Sequence, residues 1–147
     1  MITERRPLLI VEDSDEDFKV AEWSLYRTDF NAPILRCTTG DEALDFFAQG
    51  QADDPDWKGR PGLIVLDLNL PGIDGRDVLR TLKTDPRLRA IPIVVFSTST
   101  NPVDVDACYE AGANAYMTKP VDFQRFRNCW ETLVHYWFDL ALLPTPP

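Results

Sequence analysis

The chain has 147 residues, 44% of them hydrophobic, including 8 Phe and 4 Trp, a composition that excludes disorder and suits one domain with a proper core. Its formal charge of −9, from 24 acidic against 15 basic residues, opposes direct nucleic-acid binding, which relies on Lys and Arg to meet phosphate. No apolar run approaches membrane-spanning length, Met1 to Pro7 lacks the apolar centre of a signal peptide, and Cys37, Cys108 and Cys129 contain no CxxC pair, so a cytoplasmic protein with reduced thiols is expected.

Pro7 to Val11 reads as a short aliphatic strand running into Glu12-Asp13-Ser14-Asp15. Ser14 or Asp15 caps a helix carrying Phe18, Ala21 and Leu25 to about Thr28. Ile34 to Cys37 is a second strand, and Thr39-Gly40-Asp41-Glu42 opens a second helix with Ala43, Leu44, Phe46 and Phe47. Gly50 to Gly62 is polar and rich in Pro and Gly, and reads as a surface loop. Its Asp54, Asp56 and Gly59 echo a calcium loop only faintly, because Lys58 occupies a ligand position and Val65 stands where the closing Glu belongs.

Leu63-Ile64-Val65-Leu66 is aliphatic throughout, the mark of a strand covered on both faces, and it delivers Asp67 to its end before the turn Pro71-Gly72. A helix with Val78, Leu79 and Leu82 follows, ending near Asp85-Pro86. Ile91 to Phe96 is a fourth strand that ends in the hydroxyl cluster Ser97-Thr98-Ser99-Thr100, and a helix from Pro102 stops at Gly112. Ala115 to Thr118 is a short fifth strand leading to Lys119-Pro120, and a last helix begins near Asp122. Five strands alternating with five helices indicate βαβ units: an α/β, flavodoxin-like doubly wound (βα)5 fold with a five-stranded parallel sheet in order 2-1-3-4-5.

In such a sheet the ends of the first, third, fourth and fifth strands converge on one crevice, here carrying Glu12 and Asp13, Asp67, Ser97 and Thr98, and Lys119. Three acids at close quarters repel one another unless a divalent cation neutralises them, and hard carboxylate oxygens favour Mg2+. A lysine and hydroxyls facing that cation complete a cradle for a phosphoryl group, with the Asp67 carboxylate as the nucleophile. Any one acid after a strand is more often a cap or turn former than a nucleophile. The matched residues at the other strand ends reverse that weighting for Asp67.

The combination of Val11-Glu12-Asp13, Leu66 to Gly75 (LDLNLPGIDG), Val95-Phe96-Ser97-Thr98 and Tyr116-Met117-Thr118-Lys119-Pro120 resembles the receiver domain of two-component response regulators, over nearly the whole chain and with the motifs in order. The resemblance implies Asp67 as phosphoacceptor, and Mg2+ held by Asp13, Asp67 and the Asn69 main-chain carbonyl with Glu12 contributing through water. It also implies a phosphoryl oxygen on Ser97, another on Lys119, and the Thr98 backbone amide as a further donor. It implies a switch in which phosphate draws the Ser97 hydroxyl inward and the Tyr116 ring follows, and a cis Lys119–Pro120 bond. At 147 residues the chain is too short for a receiver plus a separate output module, so the expectation is a single receiver domain over 1–147, with a core of about 7–138, a C-terminal extension over 139–147 and no output domain. The acidic run Glu12 to Asp17, the Asp67 to Pro71 segment, Ser97-Thr98-Ser99 and the tail Tyr136-Trp137-Phe138 with Leu142-Leu143-Pro144 are similar to the stand-alone regulators of phytochrome-type histidine kinases, which makes such a kinase the expected partner.

The last helix carries Phe123, Phe126, Trp130, Leu133, Val134, Trp137 and Phe138, a stripe wider than one core-facing side requires. The expectation is an interface at Trp130, Leu133, Val134, Trp137 and Phe138, in a two-fold homodimer through the fourth helix, fifth strand, fifth helix and C-terminal extension. His135, the lone histidine, lies in that helix away from the site. A phosphorylation-independent dimeric interaction module is the alternative. A haloacid-dehalogenase-type phosphatase needs a second acid where Asn69 stands, and a flavin site needs a hydroxyl- and glycine-rich loop where Glu12 and Asp13 stand.

Overall fold

The structure, a computed structural model, describes residues 5–50, 53–54 and 56–145. Most of the polar start, part of the Gly50 to Gly62 loop and the last two residues of the 139–147 extension lie outside the described residues. The elements are β1 (Leu8–Val11), α1 (Asp15–Tyr26), β2 (Ile34–Cys37), α2 (Gly40–Gln49), β3 (Leu63–Leu66), α3 (Gly75–Thr84), β4 (Ile93–Ser97), α4 (Pro102–Glu110), β5 (Ala115–Thr118) and α5 (Phe123–Val134), followed by a π-helical segment, His135–Leu140. The strands form one sheet in the order β2-β1-β3-β4-β5 with every pairing parallel, as expected.

Both faces of the sheet are covered, and the period of two along each strand divides the core. Leu9, Val11, Ile64, Leu66, Ile93 and Val95 pack with Ala43, Phe47, Val78, Leu79, Leu82 and Cys108 from α2, α3 and α4. Leu8, Ile10, Leu63, Val65, Val94 and Phe96 pack with Ala21, Leu25, Phe126, Trp130, Leu133 and Val134 from α1 and α5. The helices start at side-chain caps: Ser14 accepts from the Asp17 N–H, Thr39 from Glu42, Asp74 from Arg76 and Asn101 from Val103. Beyond α4, Gly112 takes φ +107, a conformation open to glycine but strained for other residues.

The structure corrects three expectations. Trp130, Leu133 and Val134 are each only 4% exposed and belong to the core rather than to an interface. The reason is Phe96, which stacks on Phe126 at 5.5 Å and lies 5.5 Å from the Trp130 ring, so the wide stripe on α5 is used to fill the space under β4 and beside α1. Trp137 and Phe138 are half-buried against the same cluster, with Phe138 edge-on to Phe30 at 5.1 Å. The π-helical turn, absent from the sequence reading, coincides with this packing and with the pairing of His135 and Asp139 at 3.1 Å and of Arg5 and Asp139 at 3.1 Å.

The loop before β3 is less of a surface feature than its composition suggests. Trp57 packs on Phe46 and Phe47, while Arg60, 5% exposed, donates to the Arg87 carbonyl at 2.8 Å. Finally, the Lys119–Pro120 bond is trans, since the described chain contains no cis peptide. Trans is the intrinsically preferred isomer of an X–Pro bond by about 0.5–1 kcal/mol.

Candidate functional site

Parallel strands place all their C-terminal ends on one edge, and the ladder continues one residue beyond three of them. The Glu12 N–H donates to the Cys37 carbonyl at 2.9 Å, Asp67 to Val11 at 3.1 Å and Lys119 to Ser97 at 2.8 Å. These bonds fix the backbones of the acid, the phosphoacceptor candidate and the lysine as rigidly as the sheet itself. After Asp67 the chain turns so tightly that Gly75 lies against it: a Cβ there would collide with the Asp67 carbonyl oxygen and come within 2.7 Å of the Leu68 Cα.

The side chains meet at one point. The Lys119 ammonium, 7% exposed, donates to Glu12 Oε2 at 2.5 Å, Asp17 Oδ2 at 2.9 Å and Asp67 Oδ2 at 3.1 Å. The other oxygens of the two buried acids are also used, Glu12 Oε1 by the Ser14 N–H at 3.0 Å and Asp67 Oδ1 by the Asn69 N–H at 3.3 Å. Asp13, exposed at the rim, completes a group in which Glu12, Asp13 and Asp67 each present an oxygen within 4.8 Å of the others. One ammonium among this many carboxylates leaves net negative charge in a partly closed site. Burial accordingly pushes the Glu12 carboxyl up from 4.5 to about 7, against the opposing pull of Lys119. Lys119 is moved in the other direction from what burial alone dictates: its hydrogen bonds to Glu12 and Asp17 hold its proton more tightly than usual.

Hard oxygen donors on three convergent carboxylates are the donor set a small divalent cation takes, and the uncompensated charge gives that cation a reason to bind. Glu12, Asp13 and Asp67 therefore fit a metal ion. Asn69 reaches Asp67 through its N–H. Ser97 is fully buried at the end of β4. Its hydroxyl accepts from the Ser99 N–H at 3.2 Å, while Thr98 beside it is exposed. Tyr116 is half-buried and reaches the Ser99 carbonyl, to which its hydroxyl donates at 2.8 Å, rather than Ser97 itself.

Residues 8–131 match the family model described as the response regulator receiver domain. The chain belongs to the response regulator receiver family. It is 36% identical over 138 residues to the response regulator Rcp1 of Synechocystis sp., covering 93% of this chain and 92% of that protein. Its fold is similar to the crystal structure of the Mn2+-bound form of Rcp1, with a TM-score of 0.86 at 35% identity over 95% of this chain and 99% of that one. It is also similar to the phosphorylated cyanobacterial phytochrome response regulator RcpA, with a TM-score of 0.86 at 33% identity and the same coverage. The receiver is thus related to regulators of phytochrome signalling. Among its described residues no helix is long and apolar enough to cross a membrane.

Two parts of the site escaped the sequence reading. Asp17 lies in the acidic run after β1, but only the capped helical turn from Ser14 brings its carboxylate back over Lys119. The capping pattern was the available signal, because the third residue after a cap faces back toward the strand end. The second part is a polar network around Asp104, whose members lie 28 residues apart along the chain between Arg76 and Asp104, with no local motif to join them.

Proposed function

We propose that this protein is a single-domain response regulator that accepts a phosphoryl group from a histidine kinase on Asp67, with Mg2+, and passes the event on through its α4-β5-α5 surface. The observation that carries this reading is the convergence of Glu12, Asp13, Asp67 and Lys119 at one sheet edge. In the transfer, an Asp67 carboxylate oxygen attacks phosphorus, the phosphorus–nitrogen bond to the kinase histidine breaks, and the nitrogen leaves with the bonding electrons. Glu12, Asp13, Asp67 and the Asn69 carbonyl are the residues that would hold Mg2+, whose contribution is to offset the charge of the transferred group. Lys119, already 3.1 Å from Asp67, is placed to pair with a phosphoryl oxygen. The Ser97 hydroxyl and the Thr98 amide, at the next strand end, are the further donors. Ser97 and Tyr116 form the switch.

The kinase partner is one of phytochrome type, by analogy with Rcp1 and RcpA. The chain works in the cytoplasm, and its only covalent chemistry is gain and loss of the phosphoryl group at Asp67. It functions as one domain, with 139–147 as an extension. A second copy is the expected partner of the α4-β5-α5 face, where Val103, Tyr109 and Val121 are exposed and thus take the place of the buried Trp130, Leu133 and Val134. The net charge of −9 remains an argument against nucleic acid. The test is intact-mass analysis after incubation with acetyl phosphate and Mg2+. A single phosphoryl adduct on the wild type, absent with EDTA and absent from Asp67→Asn, is the expected result; an adduct on both proteins contradicts the assignment.

A further inference from the structure

One polar network spans three elements beside the carboxylate cluster. Arg76 stands directly after Gly75, the residue packed on Asp67. Its guanidinium bonds both Asp74 oxygens at 3.0 Å, and its Nη2 donates to Asp104 Oδ1, in the first turn of α4, at 2.7 Å. Asp104 Oδ2 accepts the Ser99 hydroxyl at 2.7 Å. The rest of Ser99 is also occupied: its N–H donates to Ser97 Oγ at 3.2 Å, and its carbonyl accepts the Tyr116 hydroxyl at 2.8 Å. At the other end of α4 the Tyr109 hydroxyl accepts the Tyr116 N–H at 3.1 Å.

These bonds matter because apolar burial does little for α4, whose one fully buried residue is Cys108. A helix with so small a buried face takes its position from polar contacts at its ends, and charge-assisted ones are the strongest available. The Asp104 carboxyl, held below its ordinary range by the Ser99 hydroxyl and by Arg76, stays ionised to make them.

We propose that Asp104 is a positioning residue of the switch: bridging Arg76 and Ser99, it ties the loop carrying Ser97 and Thr98 to the phosphoacceptor flank, so that any movement of Ser97 is transmitted to Tyr116 through Ser99. The inference rests on the phosphoryl switch reading above. With Ser99 held by Asp104, Ser97 cannot shift toward Asp67 without drawing on the carbonyl that holds Tyr116. Once the carboxylate is gone, the Ser99 side chain has no anchor, and a shift of Ser97 is absorbed within the loop instead of reaching Tyr116. Such coupling is carried by contacts shared between the two sites, and Ser99 bonds both Ser97 and Tyr116.

The test uses the full chain labelled with meta-fluorotyrosine, with the Tyr116 signal assigned from Tyr116→Phe and beryllofluoride plus Mg2+ as the phosphoryl analogue. Fluorine NMR reports the bound analogue and Tyr116 in one spectrum. In the wild type the Tyr116 signal shifts on addition. In Asp104→Asn and Ser99→Ala the analogue still binds, and the Tyr116 shift falls to about half or less, since coupling between sites is carried by the deleted contacts. Ser99→Ala removes a single hydroxyl, which keeps the test valid should Asp104→Asn fold poorly. A full shift in Ser99→Ala, or in a folded Asp104→Asn, with analogue bound overturns the inference alone. A wild type that binds the analogue without any Tyr116 response overturns the inference and the switch reading together, and a wild type that binds none overturns the phosphoacceptor reading on which both stand.

Discussion

Glu12 is 5% exposed and, with its carboxyl raised from 4.5 to about 7 by burial, is ionised at neutral pH only at the expense of the fold. The folded state binds this proton more tightly than the unfolded chain does, so the contribution of Glu12 to stability is fully present below pH 4.5 and is lost as pH rises through about 7. At about 1.4 kcal/mol per tenfold change in proton affinity, the displacement amounts to about 3 kcal/mol. Glu12→Gln removes the charge while keeping the shape. Gln also makes weaker bonds to Lys119 and to the Ser14 amide, which reduces the net stabilisation of the variant to about 1–3 kcal/mol above pH 8. The assay is urea unfolding of both proteins in EDTA at several pH values between 4 and 9. The variant should gain on the wild type as pH rises, with the gap closing below pH 5. A gap independent of pH, or a variant less stable than wild type above pH 8, would refute the reasoning.

Further predictions follow from single contacts. Trp130→Ala, emptying the space beside Phe96, should cost about 3–5 kcal/mol and lower the melting temperature by about 6–20 °C without altering association on size exclusion. An unchanged melt with a changed elution volume would restore Trp130 to an interface. Gly75→Ala drives a methyl into the Asp67 carbonyl and should cost about 1–3 kcal/mol in urea unfolding, with wild-type stability as the contrary result. Asp17→Asn leaves Lys119 two carboxylates of the present three. Competitive acylation followed by peptide mapping should then find the Lys119 amine more reactive at a given pH; equal reactivity would mean that Asp17 does not hold it. The Cys37 thiol, pushed up to about 11 by burial, should resist thiol reagents at pH 8 until urea opens the fold.

The fold was legible because its strands are short aliphatic runs bounded by caps and turns, and because parallel strands covered on both faces leave little room for another reading of Leu63 to Leu66 or Ile91 to Phe96. The convergence of Glu12, Asp13, Asp67 and Lys119 followed from topology alone, since a parallel sheet brings all strand ends to one edge. What depended on side-chain packing was not legible. A helical stripe gives the width of an apolar face but not what fills it, so Trp130, Leu133 and Val134 looked available when Phe96 and α1 claim them. Asp17 was hidden among five neighbouring acidic or polar residues that suggested only capping. The Arg76–Asp104–Ser99 network depends on how α3 and α4 stand side by side, which no periodicity encodes.

The central claim is that Asp67 forms the acyl phosphate. Its most direct measurement is borohydride reduction of the phosphorylated protein followed by peptide sequencing by mass spectrometry, because hydride attack on an acyl phosphate replaces the aspartate with homoserine. Homoserine at position 67 alone, dependent on Mg2+ and lost in Asp67→Asn, is the result the account predicts. Homoserine at Asp13 or Asp17 with Asp67 intact, or none anywhere, would contradict it.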